Sequence, residues 1–88
     1  MTDAELITEC KIGLTIQPES TVFDGVLNQK LLAVKSCMKR AGVSDELMLD
    51  DLAVGIIVMG VGDLWNDKSG EIKFSPAFYT LLSQLAMG

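Results

Sequence analysis

Apolar positions along this 88-residue chain recur at helical spacing in four stretches, each bounded by capping or turn residues. Leu6, Cys10 and Leu14 fall at four-residue steps with Ile7 and Gly13 beside them, which predicts a helix from about Asp3 to Leu14. Thr2 followed by Glu5 opens it as a capping box, each side chain taking up an orphan amide of the first turn. Pro18 disfavours helical dihedrals at Gln17 and closes that neighbourhood. A second stripe runs through Phe23, Leu27, Leu31, Val34, Met38 and Ala41 at steps of four and three. Thr21 with Asp24 is a looser capping pair in front of it, and Gly42 sits where a left-handed residue ends a helix.

The third stretch differs in kind. From Leu52 to Val61 the chain reads Leu-Ala-Val-Gly-Ile-Ile-Val-Met-Gly-Val, apolar all round, until Gly62 ends the run. Such a helix is either a buried hub or a membrane span. The run is about half of the roughly 20 residues a bilayer requires, and Asp50, Asp51 and Asp63 bracket it, so the hub reading wins. Ser44 is the expected cap, with Asp45 and Glu46 in the first turn at the positive end of the helix dipole. A turn at Asn66–Gly70 follows, then Glu71–Phe74 as a short extended connector. Ser75-Pro76 starts a last helix striped by Phe78, Leu81, Leu82 and Leu85. The expected architecture is all-α, a small four-helix bundle-like domain over residues 1–88 with a buried central third helix.

Composition adds one point to this picture. Hydrophobic residues make up 49% of the chain against 22% charged, a generous apolar inventory for one small domain with a large surface-to-volume ratio. Apolar surface left over after folding favours an oligomer or a docked component. The net charge of -5 excludes a nucleic-acid binder that relies on overall charge. Only a local basic face on the second helix, Lys30, Lys35, Lys39 and Arg40, would serve. Cys10 and Cys37 lie on or beside apolar stripes and read as buried free thiols of a reducing cytoplasm. The first residues carry no basic segment followed by an apolar one, so no export is expected.

Candidate chemistry is sparse. The chain has no histidine, which removes the usual nucleophile–base systems and most zinc sites; no catalytic residue, metal ligand or cofactor is expected. Gly55, Gly60 and Gly62 do not form a phosphate loop; their expected role is close packing of the third helix against the first two, or else a bend or a tight contact at a subunit interface. Asp67, Ser69, Gly70 and Ile72 match part of a calcium loop, but its first and last positions would be Trp65 and Pro76, so calcium binding fails. Asp50 and Asp51 point about 100 degrees apart on a helix and do not share one site. Lys35, Lys39 and Arg40 form a charged surface able to meet an acidic neighbour. Trp65, Phe74, Phe78 and Tyr79 cluster late in the chain as core residues, with Trp65, Phe74 and Tyr79 also candidate interface anchors.

Laid out in this way, the chain resembles the small head–tail connector (head-completion or adaptor) proteins of tailed bacteriophages. Lys11-Ile-Gly-Leu14-Thr-Ile16 is similar to the Lys-x-x-Leu-x-Ile ending of that family's first helix. Phe23–Leu27 continuing to Ala33-Val-Lys35 resembles its second helix, and Ala41-Gly42-Val43 its turn. The apolar third helix ending Gly-Asp-Leu-Trp-Asn and the segment Phe74–Leu85 resemble the rest, so the likeness covers nearly the whole chain. The glycine-rich third helix departs from relatives that carry bulkier residues there.

The resemblance implies a ring of about twelve copies closed by a heterologous interface. The ring would lie beneath the portal protein in the neck of the virion, be assembled in the host cytoplasm, and present a surface to a downstream adaptor, stopper or tail protein. DNA would pass through without specific binding, and an acidic lumen suits that passage because it repels phosphate. Within such a ring, the basic face of the second helix is expected to contact Asp45, Glu46 and Asp50 of the neighbouring subunit. Competing readings are a cytoplasmic helical interaction adaptor or antitoxin-like module, an acyl-carrier-type domain and a nucleic-acid binder. Ser44 lacks the Asp-Ser-Leu context of a carrier.

Overall fold

A computed structural model describes residues 2–67 and 73–87. Four α-helices account for its architecture: α1 (Asp3–Gly13), α2 (Asp24–Arg40), α3 (Asp51–Asn66) and α4 (Pro76–Ala86), with a single 3-10 turn at Leu47–Leu49 before α3. No strand occurs among the described residues. The Cα envelope measures 36 × 29 × 17 Å, about two helix layers thick.

The hub expected from the apolar run is α3. It touches α1, α2, α4 and the 3-10 turn, and buries Ala53, Ile56, Ile57, Gly60, Val61 and Leu64. Leu6 and Cys10 of α1, Leu27, Leu31, Val34 and Met38 of α2, and Phe78, Leu82 and Leu85 of α4 close around it. At Gly60 the packing is tightest: a Cβ there would stand 2.8 Å from Phe78 Cε2 and 3.0 Å from both Val34 methyls. The missing side chain lets α2 and α4 converge on one point of α3, so the glycine joins the hub to α4 as well as to α2. Residues Val34/Gly60 and Lys30/Leu64 pair in reverse order, so α2 runs antiparallel to α3. Phe78/Gly60 and Ser75/Asp63 do the same for α4.

Local chemistry fixes the helix ends. Thr2 and Glu5 form the expected capping box (3.1 and 3.2 Å), and the bonds from Thr2 hold the Glu5 carboxyl below its ordinary pKa. Ser75 Oγ accepts from Phe78 N with Pro76 at the first helical position, as the sequence suggests. Helix α2 ends in a Schellman motif: Val43 N donates to Met38 O, and Gly42 N to Lys39 O, with Gly42 at φ 99°. Helix α1 ends in the same motif, Ile16 N donating to Lys11 O and Thr15 N to Ile12 O. Here the left-handed position is held by Thr15 at φ 59°, which no sequence signal announced.

Two boundaries depart from expectation. Phe23, not Thr21, occupies the N-cap of α2 and makes no side-chain cap bond, because Asp24 turns to Lys11 instead. Ser44 Oγ accepts from Leu47 N (3.2 Å) and so caps the 3-10 turn, whereas α3 is capped by Asp50, whose Oδ1 accepts from Leu52 N (2.9 Å). Extended backbone at Asp50 (ψ 145°) separates the two, and the intervening turn buries Met48. Helix α3 runs past Gly62, where the apolar run stops, to Asn66, in line with the turn expected from Asn66 and the expected Gly-Asp-Leu-Trp-Asn ending. In this last turn Leu64 is buried and Trp65 packs edge-on against Phe23. Part of the expected connector, Glu71 and Ile72, lies outside the described residues, as does most of the turn before it.

Candidate interaction surface

The basic cluster of α2 is largely engaged within the chain. Lys35 Nζ meets Asp3 Oδ1 at 2.8 Å, tying α2 to α1, and Lys39 Nζ meets Asp45 Oδ1 at 3.4 Å. Lys30 Nζ donates to the carbonyl of Leu64 near the end of α3 (3.4 Å), where a cation offsets the negative pole of the helix. Lys11, almost fully buried, lies 2.7 Å from Asp24 Oδ1 as an ion contact rather than an aligned hydrogen bond, and donates to Pro18 O. Arg40 has no ion pair or side-chain hydrogen bond among the described residues and is exposed.

On the acidic side, Asp45 is the partner of Lys39 and Asp50 is a helix cap, so one chain already uses both. Glu46 and Asp51 are exposed and carry no ion pair among the described residues. The three aromatics separate in the same way. Phe74 is a core residue, 6% exposed and stacked on Phe78 with ring centroids 4.2 Å apart. Trp65 is half-buried against Phe23, at a centroid distance of 5.2 Å. Tyr79 remains half exposed, with its ring held edge-on by both Phe74 and Phe78.

Arg40 and Tyr79 both line an open groove between the C-terminal half of α2 and α4. Ala33 and Cys37 line it on the α2 side, Leu82 and Met87 on the α4 side. The groove exists because α4 packs chiefly on α3, seated there by Phe78 at Gly60 and by Ser75 N donating to Asp63 Oδ2 (3.0 Å). Besides Tyr79, the exposed large apolar residues include Val22, Phe23, Val26, Leu49, Leu52 and Met87. Leu49, Leu52 and Met87 were not among the residues expected at an interface. The stripe rule finds core positions, and Leu49 and Met87 lie off any stripe. Leu52 opens the all-apolar run expected in the hub, yet it stands in the first turn of α3 and is 42% exposed.

Neither thiol is bridged. Cys10 is fully buried, and burial with Glu9 nearby pushes its pKa up to about 11, whereas Cys37 is half-buried at the groove. Among the described residues no three His, Cys, Asp or Glu side chains converge as a metal site, and no helix is long and apolar enough to cross a membrane. A second groove between α1 and α2 carries charged residues, but its Asp3, Lys11 and Asp24 are already paired. The surface therefore offers apolar area, one free guanidinium in a groove shared with a half-exposed tyrosine, and free carboxylates. No family model, curated protein or solved structure matches the chain.

Proposed function

We propose that this chain is a structural subunit that associates with copies of itself into a ring joining a phage portal to the tail or to the next adaptor. The observation that carries the reading is the free Arg40 beside a rigidly held, half-exposed Tyr79 in an apolar groove. Arg and Tyr are residue types that concentrate binding energy at interfaces, and a tyrosine braced by two phenylalanines loses little rotamer freedom on binding. Exposed Val22, Leu49 and Met87 supply further apolar area that association would bury. The resemblance to head–tail connectors supplies the ring and the virion neck as its setting.

The role is mechanical rather than catalytic, and its partners are its own copies, the portal protein and a downstream adaptor, stopper or tail protein. With a net charge of -5 per copy, a ring lumen would repel the DNA passing through it. Native mass spectrometry of the purified chain, with and without a portal complex, tests the proposal. A closed oligomer of defined copy number, alone or on the portal, is the expected result. A chain that stays single under both conditions rejects it and favours a monomeric helical adaptor.

A further inference from the structure

We infer that the α2–α4 groove receives the Leu49–Leu52 edge of a second copy of this chain, with Arg40 pairing to Asp51 of that copy. This inference rests on the self-association proposed above and names the surface through which it acts.

The groove sets the requirements for its occupant. Its walls are apolar through Ala33, Cys37, Leu82 and Met87, and its one free charge is the guanidinium of Arg40. An occupant must therefore bring exposed apolar side chains and an unpaired carboxylate close together. The chain carries such a segment. Leu49 is 65% and Leu52 42% exposed, and Asp51 lies between them in sequence without an ion pair among the described residues. Between the two leucines Asp50 is occupied in capping α3, which leaves Asp51 as the free carboxylate there; Glu46 is also unpaired but lies before Leu49, outside the pair. Neither leucine lines the groove, so the contact joins two copies.

The other exposed apolar run, Val22 to Val26, is a poorer match. Its own carboxylate, Asp24, is held by Lys11. Of the charge pairing expected from sequence, Lys35, Lys39 and Asp45 are satisfied within one chain and Asp50 caps α3, so Arg40 and Glu46 remain free. Asp51, outside that expectation, is the free anion that lies between the two exposed leucines.

Charge reversal tests the pairing on the full chain, with association measured by sedimentation velocity over a concentration series. Arg40→Glu and Asp51→Arg should each weaken association about tenfold or more, and the double variant should recover most of that loss. Both side chains are exposed, and far-UV circular dichroism with thermal unfolding confirms that each variant folds. A trapping experiment gives a second readout. Leu49→Cys should form an intermolecular disulfide with Cys37 under an added mild oxidant, with the wild-type chain as the control for Cys37–Cys37 pairing.

Single reversals that associate like the wild type, or a double variant no better than either single, overturn the groove assignment and leave self-association standing. Absence of the Leu49→Cys cross-link in an associated sample overturns it too. A wild-type chain that never associates overturns both readings together.

Discussion

Replacing Gly60 with alanine is the sharpest test of how this fold is held together, because two opposing effects act on one methyl group. In a helix interior Gly→Ala is worth up to about 1 kcal/mol in favour of the folded state. At Gly60 the new Cβ would sit 2.8 Å from Phe78 Cε2 and 3.0 Å from Val34 Cγ1 and Cγ2, well inside the roughly 3.5–4.0 Å of ordinary carbon contact. Neither neighbour can yield cheaply. Phe78 and Val34 are fully buried, Phe78 is stacked on Phe74, and a valine in a helix is confined to one main rotamer. Overpacking of this kind costs about 1–3 kcal/mol, so the expected net change is a destabilisation of about 1–2 kcal/mol.

Gly55 provides the internal control. It lies in the same helix, exposed, and a Cβ there would meet nothing within 4 Å. Gly55→Ala should stabilise by about 0.5–1 kcal/mol, so the two substitutions differ in sign. For a domain of this size each kcal/mol moves Tm by about 4–8 °C, which calorimetry or circular dichroism resolves easily. Protein concentration must be held fixed, since association adds to apparent stability by mass action. If Gly60→Ala stabilises as much as Gly55→Ala, the convergence of α2 and α4 on that glycine is refuted.

Four further outcomes follow from single contacts. Thr15→Gly should stabilise by about 0.5–1 kcal/mol in urea unfolding, because a β-branched residue at φ 59° gives way to one with no Cβ; a loss of stability would show that Thr15 is not strained. Asp50→Ala should cost about 1 kcal/mol by loss of the α3 cap, and Ser44→Ala less, since Ser44 serves only the short turn; equal costs would contradict the division of caps seen here. Cys10 is protonated in both folded and unfolded chains at neutral pH, and its pKa of about 11 against an ordinary 9.0 means that only the unfolded thiol ionises between those values. Wild-type stability should therefore fall across that window more steeply than that of Cys10→Ala, and matching slopes would contradict the burial of the thiol. Lys11→Met should change stability by less than about 1 kcal/mol, because the stem stays buried and the half-exposed Asp24 can turn to water; a loss of several kcal/mol would mean the ion pair is fully desolvated.

What the sequence made legible were features encoded within a few residues. The capping box at Thr2 and Glu5, the Ser75-Pro76 start and the Gly42 stop each depend on neighbours in the chain, and each stands where the pattern placed it. The apolar run of α3 was equally plain, because a helix with no polar face has nowhere to lie but the centre. Competing local signals were harder. Ser44 and Asp50 are both good caps six residues apart, and the choice between them depends on Met48 reaching the core, a tertiary fact.

The surface was least legible, for a related reason. A count of cations on α2 gives Lys30, Lys35, Lys39 and Arg40, yet the charge available to a partner is what remains after folding. Asp3 lies 32 positions from the lysine it binds, and the Leu64 carbonyl 34 positions from Lys30. No spacing rule spans such distances, so sequence cannot separate the three engaged lysines from the free arginine. The groove itself is a by-product of how α4 sits on α3, and that seat depends on an absent side chain at Gly60. A methyl group at that position would therefore disturb the groove as well as the core. The Gly60→Ala chain should lose affinity between copies along with stability, whereas Gly55→Ala should leave that affinity unchanged.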